Sequence, residues 1–191
     1  LFYTLSRIKN MSNPTRQLCH ASHLPVLELL FQHAQIKNVF EYGCGNFSTN
    51  FFITHAESVT SVEMNKIRWY EEIKNNLASD KLTILFKQGQ EAIDYFNGLD
   101  KKFDLVFIDG DGRSRKDCTQ NTMKKSDIIA VHDIDLTWRR WRNRGWLKLE
   151  VPDNYKIITM NLDYPAVTIY TTNDALFTEL KKHKSFVIKD E

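Results

Sequence analysis

The chain has 191 residues, 42% of them hydrophobic and 26% charged, with a formal net charge of +2. These values fit one globular domain and exclude a largely disordered or fibrous chain. The small charge gives no reason to expect a nucleic-acid or membrane-surface partner, and the longest apolar runs, Leu105 to Ile108 and Ile128 to Val131, fall far short of the roughly 20 residues that cross a bilayer.

The N-terminal stretch lacks a long apolar segment and a small-residue cleavage site, so it does not read as a signal peptide. Residues 1–10 read as an upstream extension with Met11 an available start, and residues 1–21 as an extension ahead of a single domain spanning 22–191. His23 to Gln35 carries Leu24, Leu27, Leu30, Phe31 and Ala34 at helical spacing, with Pro25 near its start where a missing N–H costs little. Asn38 to Tyr42 reads as a buried strand, Ser48 to Ala56 as a short helix, Ser58 to Glu63 as a strand, and Asn65 to Ala78 as a helix capped by Asn65. A strand over Leu82 to Lys87 and a helix over Glu91 to Phe96 follow. Phe103 to Asp109 is a strongly apolar strand, Arg115 to Lys125 a helix, and Asp127 to His132 another apolar strand. Trp138 to Lys148 is ambiguous. Tyr155 to Met160 and Ala166 to Thr171 alternate like strands, Asp174 to Lys184 is helical, and Phe186 to Ile188 forms a further short run.

Strands separated by helices predict parallel βαβ units in one α/β domain, with the sheet covered on both faces. No helix-length segment separates the last two full strands, which predicts an antiparallel pair at one sheet edge. Three cysteines (Cys19, Cys44, Cys118) cannot all pair and show no C-x-x-C spacing, which points to a reducing, cytoplasmic setting.

The first strand runs into Glu41-Tyr-Gly43-Cys-Gly45-Asn46-Phe-Ser48-Thr49. Two glycines two apart between strand and helix permit a tight turn and close approach of a ligand. The second strand ends in Glu63, twenty residues after Gly43, where an acid accepts hydrogen bonds from both ribose hydroxyls of a nucleoside. A tight turn and a strand-end acid without a ligand would look the same piece by piece. Ser48 stands where a dinucleotide fold wants a third glycine, and no G-x-x-x-x-G-K-[ST] phosphate loop occurs. Glu41 would repel a pyrophosphate but suits a ligand with an ammonium group, as S-adenosylmethionine has.

The stretches Val39 to Gly45, Val59 to Glu63, Phe103 to Gly112 and Val131 to Asp135 resemble the class I S-adenosylmethionine-dependent methyltransferases, and the Ser-Thr after the glycines with Ile-Asp-Gly-Asp after the fourth strand resembles the small-molecule O-methyltransferase branch. The resemblance covers roughly residues 22–172. It implies a three-layer, Rossmann-like methyltransferase fold with a mainly parallel seven-stranded sheet and an antiparallel edge strand. It also implies S-adenosyl-L-methionine as cofactor and a small-molecule substrate. Glu41, Gly43 and Gly45 would line the methionine end, with hydrogen bonds from Asn46, Ser48 and Thr49. Glu63 would hold the ribose and Met64 would pack on adenine. At Gly89 and Gln90 the family often has Gly-Asp; the Gln90 amide, or Glu91, would take the acid's place. Asp109 would face the cofactor and the reaction centre.

A hydroxyl acceptor also needs a base or a metal to remove its proton. Asp109, His132 and Asp133 are the candidate catalytic residues, at strand C-termini where an α/β sheet binds ligands; His132 is the candidate base or simply a hydrogen-bonded strand-end histidine, and His23 is a further residue within reach. Asp109, Asp111 and Asp133 also suit Mg²⁺, with no ligand set assigned. The segment Trp138 to Trp146, with four arginines, three tryptophans and no acid, reads either as a surface helix or as a wall of the substrate pocket fit for an anionic acceptor. The competing readings are a different reaction on the same fold and a non-catalytic S-adenosylmethionine-binding module.

Overall fold

Alternation of side chains along each strand sorts the apolar residues into two layers in the computed structural model, which describes residues 21–112, 114–133, 149–160, 166–183 and the backbone of 187–190. The elements are α1 (Leu24–His33), β1 (Asn38–Tyr42), α2 (Ser48–His55), β2 (Ser58–Glu63), α3 (Ile67–Asn76), β3 (Leu82–Phe86) and α4 (Gln90–Gly98), then β4 (Leu105–Ile108), α5 (Arg115–Thr122), β5 (Ile128–His132), β6 (Lys156–Met160), β7 (Val167–Thr171), α6 (Asp174–Lys182) and β8 (Val187–Asp190). Val39, Leu105, Phe107 and Ile169 face one way, onto Leu27 and Leu30 of α1, Phe52 of α2 and Leu176 and Leu180 of α6. Phe40, Tyr42, Val106 and Ile108 face the other, onto Ala92, Ile93 and Phe96 of α4 and Cys118 of α5. The result is a helix–sheet–helix sandwich with buried strands at its centre, the physical reason β4 is apolar at every position and β5 at every position before His132.

The sheet order is β3-β2-β1-β4-β5-β7-β6-β8. Strands β1 to β5 pair in parallel, β7 lies antiparallel between β5 and β6, and β8 runs antiparallel to β6. The mainly parallel, Rossmann-like architecture with an antiparallel hairpin at one side is as the sequence predicts. β8, overlapping the short run at Phe186, extends the expected seven strands to eight. Element bounds agree within a few residues, but Asn65 does not cap α3. Helix α3 starts later, after Lys66, because the Glu63 carboxylate takes the N–H groups of Asn65 (2.9 Å) and Lys66 (3.0 Å) and so shapes the turn from the strand side. No helix among the described residues is long and apolar enough to cross a membrane. Residues 1–20 of the expected extension, Asp135 and the Trp138–Trp146 segment lie outside the described residues.

Chain direction reverses its lateral order between β1 and β4, since β2 and β3 lie on one side of β1 and β4 and β5 on the other. Such a switch point opens a crevice at the strand C-termini. Two glycines let the loops there close on each other. Gly43 has φ +89°, and a Cβ on it would stand 2.5 Å from the Gly110 Cα and 2.7 Å from the Asp109 carbonyl carbon. Its N–H donates to Val62 O (2.7 Å), while Asp109 N–H donates to Tyr42 O (2.8 Å). The first glycine is thus required by backbone packing between the β1 and β4 loops, whatever ligand binds. Gly43→Ala combines left-handed strain with overpacking and is expected to cost about 3 kcal/mol or more. Gly98→Ala meets nothing within 4 Å and is expected to change stability by less than about 1 kcal/mol. Urea unfolding of both variants checks the contrast.

Candidate functional site

The loop after β1 is built on a buried carboxylate. Glu41, fully buried, accepts hydrogen bonds from Ser48 Oγ (2.5 Å) and Thr49 Oγ1 (2.6 Å) of α2 and from Ser61 Oγ (2.6 Å) of β2. Thr49 Oγ1 in turn accepts the Gly45 N–H (2.9 Å). These three donors tie the loop to both neighbouring elements. Burial pushes the Glu41 carboxyl up to about 7 against the pull of the three hydroxyls. Glu41, Ser48 and Thr49, expected to face a ligand, point inward and bond to one another; the half-exposed Gly45 and exposed Asn46 are what the loop offers outward.

Glu63 ends β2 beside this loop. One carboxylate oxygen accepts the two N–H groups of the β2–α3 turn; the other accepts from the Cys44 thiol at 3.7 Å. Burial and the neighbouring Glu41 and Glu63 hold that thiol protonated. The Trp69 indole donates to the Cys44 carbonyl at 2.7 Å, so α3 grips the middle of the Gly-x-Gly turn. Sequence reasoning missed Trp69. Met64 is buried, and a Cβ on Gly110 would come within 3.0 Å of its sulfur. Gly89 has φ +49° and open space around it, and the exposed Gln90 donates to Asp94 within its own helix at 2.9 Å.

At the tips of β4 and β5 the organising group is Arg115, the first residue of α5. It is buried, and it donates to Gly110 O (3.1 Å), Asp109 O (3.4 Å) and His132 O, and pairs with Asp109 Oδ1 (2.9 Å) and Asp133 Oδ2 (3.3 Å). A cation in the first turn opposes the helix macrodipole. That misplaced charge is the one signal in the sequence that pointed to it. Asp133 adopts φ +59°, which aspartate tolerates better than most residues, and this turn aims its carboxylate back at Arg115. His132 is buried, with Nδ1 3.1 Å from Asp109 Oδ1 and Nε2 2.9 Å from Ser22 Oγ. Burial works against charge on both partners, but His132 and Arg115 outweigh it and hold the Asp109 carboxyl well below the usual carboxylate range. Burial likewise disfavours imidazolium, but Asp109 and Asp133 raise His132 above its ordinary value.

The structure therefore brings Asp109, His132 and Asp133 together, with His23 against His132 at a ring distance of 4.8 Å. Asp111 sits in the loop above, its carbonyl accepting Ser114 N–H. Mg²⁺ on Asp109, Asp111 and Asp133 does not fit, because the Arg115 guanidinium already bridges the first and last of them.

No protein-family model and no curated protein matches the sequence. Solved structures do match the fold. An O-methyltransferase from Bacillus cereus, in complex with SAH, is 17% identical with a TM-score of 0.61 over 84% of this chain and 82% of that one. An SAH-bound methyltransferase from Podospora anserina is 14% identical, TM-score 0.59, over 87% and 84%. Spermidine synthase from Thermotoga maritima is 13% identical, TM-score 0.54, over 87% of this chain and 63% of that one. At 13–17% identity these likenesses establish a fold of the class I methyltransferase type and no particular reaction.

Two outcomes follow from the buried charges. Arg115→Met leaves two carboxylates facing each other and is expected to cost about 3 kcal/mol, the lower end for a broken buried pair because both acids reach solvent. Lys37→Ala, which breaks a pair exposed by 58% and 69%, should leave the unfolding midpoint nearly unchanged, because water and salt screen exposed pairs. Denaturant titration of both distinguishes them. For Glu41, a folded-state value above the ordinary 4.5 means ionisation favours the unfolded chain. Stability is then greatest below about pH 4.5 and declines toward about pH 7, by on the order of 3 kcal/mol from this group. Glu41→Gln should remove that decline from the stability–pH curve.

Proposed function

We propose that the protein is an S-adenosylmethionine-dependent methyltransferase acting on an oxygen of a small molecule. The observation that carries the reading is the placing side by side, at the edge of the switch-point crevice, of a tight Gly43-x-Gly45 turn over a buried acid and the Glu63 carboxylate at the end of the neighbouring β2. The donor set fits such a ligand. The turn from Gly43 to Thr49 holds no lysine or arginine to meet a phosphate, and the Glu41 charge beneath it favours an ammonium group. Glu63, through the oxygen that now takes only the weak Cys44 thiol, would hold the ribose; the Gly43–Gly45 backbone and Asn46 would hold the amino-acid end; Met64, Gly89 and Gln90 border the adenine end. Bound there, the cofactor supplies an electrophilic methyl group on a sulfonium.

The chain's own residues then act on the acceptor. Asp109 and Asp133, with side chains 25% and 35% exposed, are carboxylates at the β4 and β5 tips that solvent still reaches. Asp133, the more open of the two, takes the acceptor's hydroxyl proton. Asp109, kept anionic by His132 and Arg115, orients the acceptor. His132, buried between Ser22 and Asp109, acts through Asp109.

Glu63→Ala should weaken S-adenosylhomocysteine binding tenfold or more in calorimetry, the loss of a charge-assisted hydrogen bond worth about 1.5–3 kcal/mol. Unchanged affinity would reject the role of Glu63, and tighter binding of a nicotinamide dinucleotide would reject the ligand class. Transfer of labelled methyl to members of a hydroxyl-acceptor library tests the reaction itself; cofactor binding without transfer to any acceptor favours a binding module.

A further inference from the structure

We infer that His23, Asp109 and His132 form a site for one divalent transition-metal ion of the zinc, cobalt or manganese kind. Their ligand atoms, two imidazole nitrogens and a carboxylate oxygen, all lie within 4.8 Å of one another, and both histidines are buried. Three separate elements supply them: the residue before α1, the end of β4 and the end of β5. An ion about 2.1 Å from each ligand spaces them by about 3–4 Å, so side-chain rotations of about an ångström close the set. Two imidazoles with one carboxylate suit a borderline transition ion, whereas Mg²⁺ wants oxygens alone.

The arrangement around His132 adds an independent reason. When Nε2 donates to Ser22 Oγ, Nδ1 carries a lone pair toward Asp109 Oδ1, 3.1 Å away. Nδ1 forms no aligned hydrogen bond among the described residues. The alternative occupant of this contact is the proton that pairs His132 with Asp109, and a divalent ion would take that proton's place between the imidazole and the carboxylate. Ser22 then plays the part that outer hydrogen-bond partners play for metal-bound histidines, fixing the tautomer and the ring. His23 packs edge-on to the His132 ring and against Phe107, with centroid distances of 4.8 and 5.2 Å. This apolar wall limits water and holds the ring in place. Arg115 engages Asp109 through Oδ1, which leaves Oδ2 for the ion and keeps the cluster's net charge modest. The site shares Asp109 and His132 with the acceptor end of the methyl-transfer reading, but none of its ligands belongs to the Gly43–Gly45 turn or to Glu63, so metal binding and nucleoside binding are tested separately.

The test uses the full chain, stripped with chelator and titrated with Co²⁺ in the visible range and with Zn²⁺ by calorimetry. One equivalent of Co²⁺ with a ligand-field spectrum is expected, unaffected by millimolar Mg²⁺. His23→Ala should weaken binding at least tenfold, and Ser22→Ala, which keeps all three ligands, by roughly 10–100-fold. Glu63→Ala should leave metal affinity unchanged while losing the nucleoside, which separates failure of this site from failure of the functional reading. No Co²⁺ bound by the wild type, or the same affinity in folded Ser22→Ala and His23→Ala, would overturn the site. Should His23→Ala fail to fold, unchanged affinity in Ser22→Ala is sufficient to overturn it.

Discussion

The buried guanidinium of Arg115 is the constraint on which the crevice depends. It joins three backbone carbonyls and two carboxylates from the ends of β4 and β5. A charge taken out of water at this cost is tolerated only where partners surround it, so its partners are fixed in turn. Asp133 reaches it from a left-handed backbone, and Asp109 reaches it while touching His132. Without the clamp, two acids at neighbouring strand tips would repel each other and the β4–α5 loop would lose its anchor.

That anchored loop carries Gly110, and Gly110 is the surface on which the β1 turn rests. Gly43 meets it at a distance no side chain permits, and Met64 covers its other side. The Glu41 carboxylate with its three hydroxyls fixes the same turn from beneath, and Trp69 holds it from α3. The loops at the switch point are therefore one rigid assembly. Its polar side chains are largely spent on one another, so on the proposed reading a ligand would meet mainly backbone, Asn46 and the Glu63 oxygen that takes only the Cys44 thiol. Preorganisation of this kind lowers the ordering cost of binding.

Strand and helix positions were legible because period-two apolar runs and glycine-marked turns are local signals. The parallel architecture followed from the helices between strands, and the hairpin from the missing one. The motif Gly43-x-Gly45 with Glu63 was legible as a set. The direction in which Glu41, Ser48 and Thr49 point was not, since it depends on Ser61 from a strand twenty residues away. His132 was legible as a strand-end residue, but its contacts with Ser22 and Asp109 cross 110 and 23 positions, beyond any local pattern. Arg115 and Trp69 were missed for the same reason: each looks like an ordinary helix residue until the loop it bonds to is folded beside it.

On the proposed reading the crevice between β1 and β4 is a nucleoside site, with Glu63 on the ribose and the Gly43–Gly45 backbone at the amino-acid end. A crystal structure with S-adenosylhomocysteine tests this most directly. It should place both ribose hydroxyls within hydrogen-bond distance of Glu63, the amino-acid end over Gly43 to Gly45, and the sulfur on the side of Asp109. Density for the ligand elsewhere, or a ribose with no contact to Glu63, would contradict it.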